Sequence, residues 1–162
     1  MKHSYKERHV RIGQVLVARE GETLKSLLGS CVGVALIWKN KKMCGLAHCL
    51  LPESPQKSYE INGRFVSQAI PSLLALMHIK PENFSEIEAV IAGGGNMTQP
   101  EERTNGKLIG AQNALRAQKF LRDLGIKIIF EDIGGEEGRR MSVNSTTGEF
   151  EVQKIPRQIA AS

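Results

Sequence analysis

A chain of 162 residues, 41% of them hydrophobic, holds enough apolar material for one core and suits a single domain. Its net charge of +5 invites a nucleic-acid partner, but the basic residues are scattered and aromatics make up only 5%, too few for a base-stacking platform. No apolar run reaches membrane-spanning length and the first residues are too polar for a secretory signal, so the expectation is a cytoplasmic protein with three reduced cysteines and no membrane insertion.

Residues 1–9 are expected to be flexible, 10–156 to form the domain, and 157–162 to be a tail. Val10 to Ala18 alternates enough for a strand, and Arg19 to Lys25 reads as a polar turn. Val32 to Trp38 is apolar, β-branched and uncharged, the pattern of a buried strand. Lys39-Asn40-Lys41-Lys42 is a solvated turn, and Met43 to Leu51 is a second apolar run ended by Pro52. A polar loop follows to Asn62. Arg64 to Met77 carries a helical apolar stripe interrupted by Pro71, which predicts a kink or a fresh start. Glu88 to Ala92 is a short strand running into Gly93-Gly94-Gly95. That loop lacks the Lys-Ser/Thr of a P-loop and reads either as an anion cradle or as a tight turn. Ile109 to Leu124 is the clearest helix, stopped by Gly125. Ile126 to Phe130 is a strand, and Arg140 to Asn144 with Glu149 to Ile155 forms a hairpin. Few helices and several short-linked strands predict an α+β fold with a largely non-parallel sheet.

Cys31 and His48 stand out chemically. If the runs at 32–38 and 43–51 form a hairpin centred on Asn40-Lys41, facing positions sum to 81, so Gly33 faces His48 and Cys31 faces Leu50. Side chains alternate with period two, so Cys31, Gly33, His48 and Leu50 share a face. Cys31 and His48 are then diagonal neighbours, roughly 7–8 Å apart at the backbone. Gly33 leaves the imidazole room to lean toward the thiol, and such a neighbour is expected to favour the thiolate. A buried cysteine acting as a small hydrophobe is the competing reading, but Gly29-Ser30 before the thiol suits a close ligand approach and an oxyanion-binding N–H. Cys44 and Cys49 do not stand at common zinc spacings, and Cys49 falls on the face opposite His48, so no metal is expected. Asn96 and Asn113 could bond a substrate amide or cap local structure.

Five blocks in order carry a resemblance. Leu28-Gly29-Ser30-Cys31-Val32, then Gly45-x-x-His48-x-x-Leu51-Pro52, resembles the chemoreceptor glutamine deamidase family, CheD. Gly93-Gly94-Gly95-Asn96-Met97, Ile109-Gly110-x-x-Asn113, and Glu131-Asp132-Ile133-Gly134-Gly135-x-x-Gly138-Arg139 with Thr147-Gly148 fit the same family. The resemblance implies a three-layer α/β/β sandwich with mixed, largely antiparallel sheets, similar to toxin-type cysteine deamidases. It implies hydrolysis of glutamine side-chain amides in methyl-accepting chemotaxis receptors, with Cys31 as nucleophile, His48 as base and acid, and no cofactor. Where family members carry a threonine six residues before the cysteine, this chain has Lys25, and the adjacent Ser26 is the candidate third member. Ser30, Gly94 and Asn96 are candidates for substrate or oxyanion contacts. The alternative is a non-catalytic regulator that binds receptors or a CheC-type phosphatase.

Overall fold

Nine strands and two helices of a computed structural model describe residues 5–96 and 106–156, with side chains in the second stretch from residue 109. The two apolar runs form β4 (Val32–Trp38) and β5 (Met43–Cys49), every residue of both buried. They pair antiparallel with Gly33 opposite His48 and Val32 opposite Cys49, the register in which positions sum to 81. The turn between them is a 3-10 turn over Lys39–Lys41, closed by Lys42 at φ 48°. β2 (Val15–Ala18) lines the other edge of β5, while β6 (Glu88–Gly93) pairs antiparallel with β4 and β7 (Lys127–Ile133) pairs parallel with β6. The resulting sheet has the order β2-β5-β4-β6-β7.

A strand can be apolar throughout only if both its faces are covered. One face of this sheet, with Val32, Val34, Leu36, Ala47, Cys49 and Ile91, packs on α1 (Val66–Leu76) and α2 (Gly106–Leu124). Pro71 sits exposed inside a continuous α1. The other face, with Cys31, Ala35, Ile37, Cys44, Leu46, Val90 and Ala92, packs on Leu24, Leu28, Met141 and Val143 of a second sheet. That sheet has the order β1-β3-β8-β9, built from β1 (Lys6–His9), β3 (Glu22–Leu28), β8 (Gly138–Asn144) and β9 (Phe150–Ile155). β1 and β3 are parallel and the other two pairs antiparallel. The fold is therefore α+β in three layers, helices on a mixed sheet on a second mixed sheet. No helix among the described residues is long and apolar enough to cross a membrane.

Three expectations are corrected. Residues 22–25 are not a turn but the start of β3, where Leu24, Ser26 and Leu28 point inward and Thr23, Lys25 and Leu27 outward; the alternation is masked by the short polar inward residue. The stretch expected to be flexible includes a strand, because Lys6–His9 pairs with β3 residue for residue from Glu22 to Lys25. The strand expected over 10–18 is only Val15–Ala18; residues 10–14 cross between the sheets and turn at Gly13, φ 85°. Met97 and the tail 157–162 lie outside the described residues.

Candidate active site

Cys31 and His48 both reach the space between the two sheets, at 6% and 4% exposure. The β4–β5 ladder ends at Val32 and Cys49, so Cys31 does not face Leu50. Leu50 instead turns away to donate its N–H to the Arg64 carbonyl at 2.8 Å, and the Cys31 carbonyl accepts from the Gly94 N–H at 2.8 Å. The sulfur thus stands on a turn just outside the strand, on the same face as His48.

Two glycines make that turn fit. Gly93 adopts φ 105°, and a Cβ there would lie 2.3 Å from the Cys31 carbonyl oxygen. Gly94, at φ 68°, lets the chain touch α2, since its Cβ would stand 2.7 Å from the Gly110 carbonyl. Gly95 donates to the Gly29 carbonyl at 3.0 Å. The glycine-rich loop is therefore a close-packed brace. The Gly94 amide is engaged with Cys31, and the Asn96 N–H with the Gly135 carbonyl at 2.7 Å.

Asn113, fully buried on α2, completes the brace. Its Nδ2 donates to the Ser30 carbonyl at 3.3 Å and to the Leu50 carbonyl at 3.0 Å. One side chain thereby ties the residue before the thiol to the end of the strand carrying His48. On the far side, Arg139 is buried and donates to Asp132 Oδ1 at 3.3 Å and to the Gly134 carbonyl at 2.8 Å, pinning the second glycine turn.

The imidazole is held from the other sheet. His48 Nδ1 lies 3.0 Å from the Val10 carbonyl oxygen. A carbonyl only accepts, so Nδ1 carries the proton and Nε2 keeps its lone pair. Ser26 Oγ donates to the same carbonyl at 2.5 Å and stands 3.4 Å from Nδ1, where its oxygen offers a second acceptor. The carbonyl that orients the ring comes from the 10–14 crossover. Sequence reasoning missed it because a backbone oxygen has no residue signature. Lys25 points outward and pairs with Glu7 at 2.8 Å, so the neighbouring serine supplies the inward hydroxyl.

Burial sets the protonation. It pushes the Cys31 thiol above its usual value of 9.0. It also holds His48 below 6.5, against a smaller opposing effect of the Val10 hydrogen bond. Both effects of burial favour the uncharged forms, thiol and imidazole, and so oppose the expected thiolate. Cys44, between the sheets, is pushed up to about 12, mainly by burial. Cys49 is buried on the helix side and raised further by burial and by Cys31. The imidazole, with Nε2 left free of the Val10 and Ser26 contacts, and the buried thiol on its braced turn thus border the same layer between the sheets.

Residues 50–154 match the family described as CheD, chemotactic sensory transduction. A protein of Ruegeria sp. (strain TM1040), named probable chemoreceptor glutamine deamidase CheD 2, is 38% identical over 167 residues, covering 93% of each chain. A protein of Bdellovibrio bacteriovorus, named probable chemoreceptor glutamine deamidase CheD, is 40% identical and covers 93% of this chain and 96% of that one. A namesake from Clostridium acetobutylicum is 34% identical over 129 residues.

Proposed function

This chain belongs to the CheD family, and from that premise we propose that it hydrolyses side-chain amides of particular glutamines in chemoreceptors, leaving glutamate and ammonia. The observation that carries the reading is the oriented imidazole. Nδ1 is fixed by Val10 and Ser26, which leaves Nε2 as the base on the face that Cys31 shares.

As Cys31 Sγ bonds to the amide carbon, its proton passes to His48 Nε2. The amide C=O π pair moves onto oxygen, and the Cys31 backbone N–H is the candidate donor to that oxyanion. Collapse of the tetrahedral adduct breaks the C–N bond, and His48 returns its proton to the departing nitrogen, which leaves as ammonia. Water then attacks the thioester while His48 takes a proton from it. The C–S bond breaks, the sulfur recovers its proton, and glutamate is released. Ser26 acts through His48 as a positioning residue. Ser30 and Asn113 position the nucleophile's turn, and the bond from the Gly94 amide to Cys31 gives it the same bracing role.

The test is the mass of a chemoreceptor signalling fragment incubated with the protein. Each amide hydrolysed adds about 1 Da, and fragmentation locates it. A fragment unchanged by the wild-type protein would overturn the proposal.

A further inference from the structure

Of the two candidate residues, His48 meets an open groove that Cys31 does not line. His48 forms part of the wall of a groove of about 460 Å3 whose other lining residues are His9, Val10, Arg11, Ile12 and Leu27. Because Cys31 and His48 are almost fully buried, only the glutamine side chain can reach them, and the chain that bears it must lie outside. The groove is the surface that His48 itself lines.

Its walls have a definite chemistry. Ile12 is 59% and Leu27 57% exposed, large apolar side chains that folding leaves in water. No carboxylate lines the groove. Nearby basic residues are neutralised within the protein: Arg8 pairs with Glu22 at 3.1 Å and Lys25 with Glu7 at 2.8 Å. Arg11 makes no ion pair among the described residues; its backbone N–H donates to Gln14 Oε1 at 2.8 Å, and the residue is exposed where it lines the groove. His9 adds a second nitrogen donor to the same wall.

We propose that this groove is the substrate's docking subsite, and that it selects a protein segment carrying an apolar side chain and a carboxylate close to the target glutamine. The apolar side chain covers Ile12 and Leu27, and the carboxylate pairs with Arg11. This rests on the deamidase reading and adds to it a rule for which glutamines react. Electrostatic complementarity of this kind acts mainly on substrate choice and encounter, so Arg11 is expected to change kcat/KM more than kcat.

The experiment uses the full chain and three synthetic peptides, each with one glutamine flanked by leucine, differing only in Glu, Gln or Lys beside it. Hydrolysis is read as the mass gain of the glutamine, and binding as fluorescence anisotropy of labelled peptide with the Cys31→Ala protein. The Glu peptide should be favoured over the Lys peptide in both assays. Arg11→Glu should reverse that order, with about a fivefold loss for the Glu peptide and a gain for the Lys peptide. Leu27→Ser should weaken all three by roughly tenfold. Equal handling of the three peptides, including no handling of any, overturns the subsite, as does an Arg11→Glu protein with the wild-type order. The same wild-type protein incubated with a receptor signalling fragment separates the two ideas: hydrolysis there with indifferent peptides sinks only the subsite, whereas no hydrolysis there sinks the deamidase reading as well.

Discussion

Ser26→Ala removes one oxygen from the second contact of the His48 ring. The hydroxyl is buried at 2% exposure, donates to the Val10 carbonyl at 2.5 Å and lies 3.4 Å from Nδ1. Its loss deletes the bond to the Val10 carbonyl and the longer Nδ1 contact but strands no partner, because the Val10 carbonyl still receives the Nδ1 proton at 3.0 Å. The stability cost is therefore about 1 kcal/mol. For a chain of this size that lowers Tm by about 2–4 °C. The tautomer survives, so the base remains, but the ring loses the contact that restrains its tilt. We expect kcat to fall about tenfold, equivalent to about 1.4 kcal/mol in the barrier, with KM little changed. Initial rates of glutamine mass gain on a receptor fragment, taken beside a thermal melt, measure both. Full activity in the alanine protein refutes a positioning role for the hydroxyl. A loss beyond about a thousandfold with a normal melt refutes the assignment of the tautomer to Val10, since the serine would then be the dominant partner.

The other predictions test separate parts of the site. Cys31→Ala should fold normally and yield no mass gain, while Cys44→Ala and Cys49→Ala should stay active and lose about 1 kcal/mol of stability each in a denaturant titration. Because burial raises the thiol, alkylation of Cys31 by iodoacetamide should keep gaining speed with pH through 9.0 without levelling off, and a fast plateau at neutral pH would show a preformed thiolate instead. His48 is depressed, so deamidation should persist as pH falls through 6.5 and fail only lower. In that range the unfolded chain binds a proton the folded one refuses, and a melt should show stability falling with it. Asn113→Asp keeps the shape but sets an oxygen against the Ser30 and Leu50 carbonyls; it should cost more than Asn113→Ala, about 3 kcal/mol or above, and slow turnover in the same fragment assay.

The hairpin and its register were legible because two uncharged runs flank a lysine-rich turn, which sets Gly33 opposite His48; Cys31 lies one residue outside the ladder, so its place depends on the turn that the glycines brace. Other parts were hidden for physical reasons. β3 was obscured because its inward positions include Ser26, whose buried hydroxyl reads as polar until its partner is known. β1 is four polar residues on a sheet edge, held by backbone pairing with no apolar pattern to betray it. The Val10 carbonyl could not be read at all, since any residue would supply that oxygen. Gly33 was read as room for the imidazole, yet a Cβ there would lie 2.8 Å from Met141 Sδ and 2.9 Å from Leu28 Cδ1. The missing side chain makes room for the facing sheet.

That last point shows how the site is assembled. The thiol's turn is braced from the middle sheet and α2, through Gly94 and Asn113. The imidazole rides on the middle sheet, but its ring is oriented by the crossover and by β3 of the outer sheet. The two candidate residues thus depend on contacts that cross between the sheets, and Gly33 with Met141 and Leu28 is one of the contacts that sets the sheets' separation. Gly33→Val should therefore act by overpacking, at roughly 1–3 kcal/mol, spreading the sheets at the layer that holds both catalytic candidates. Both near atoms are ends of flexible side chains, so the protein should still fold. Adding Met141→Ala to the valine protein should restore stability and turnover together. Recovery of stability without turnover would mean that the valine blocks the ring directly and that sheet separation does not govern the alignment.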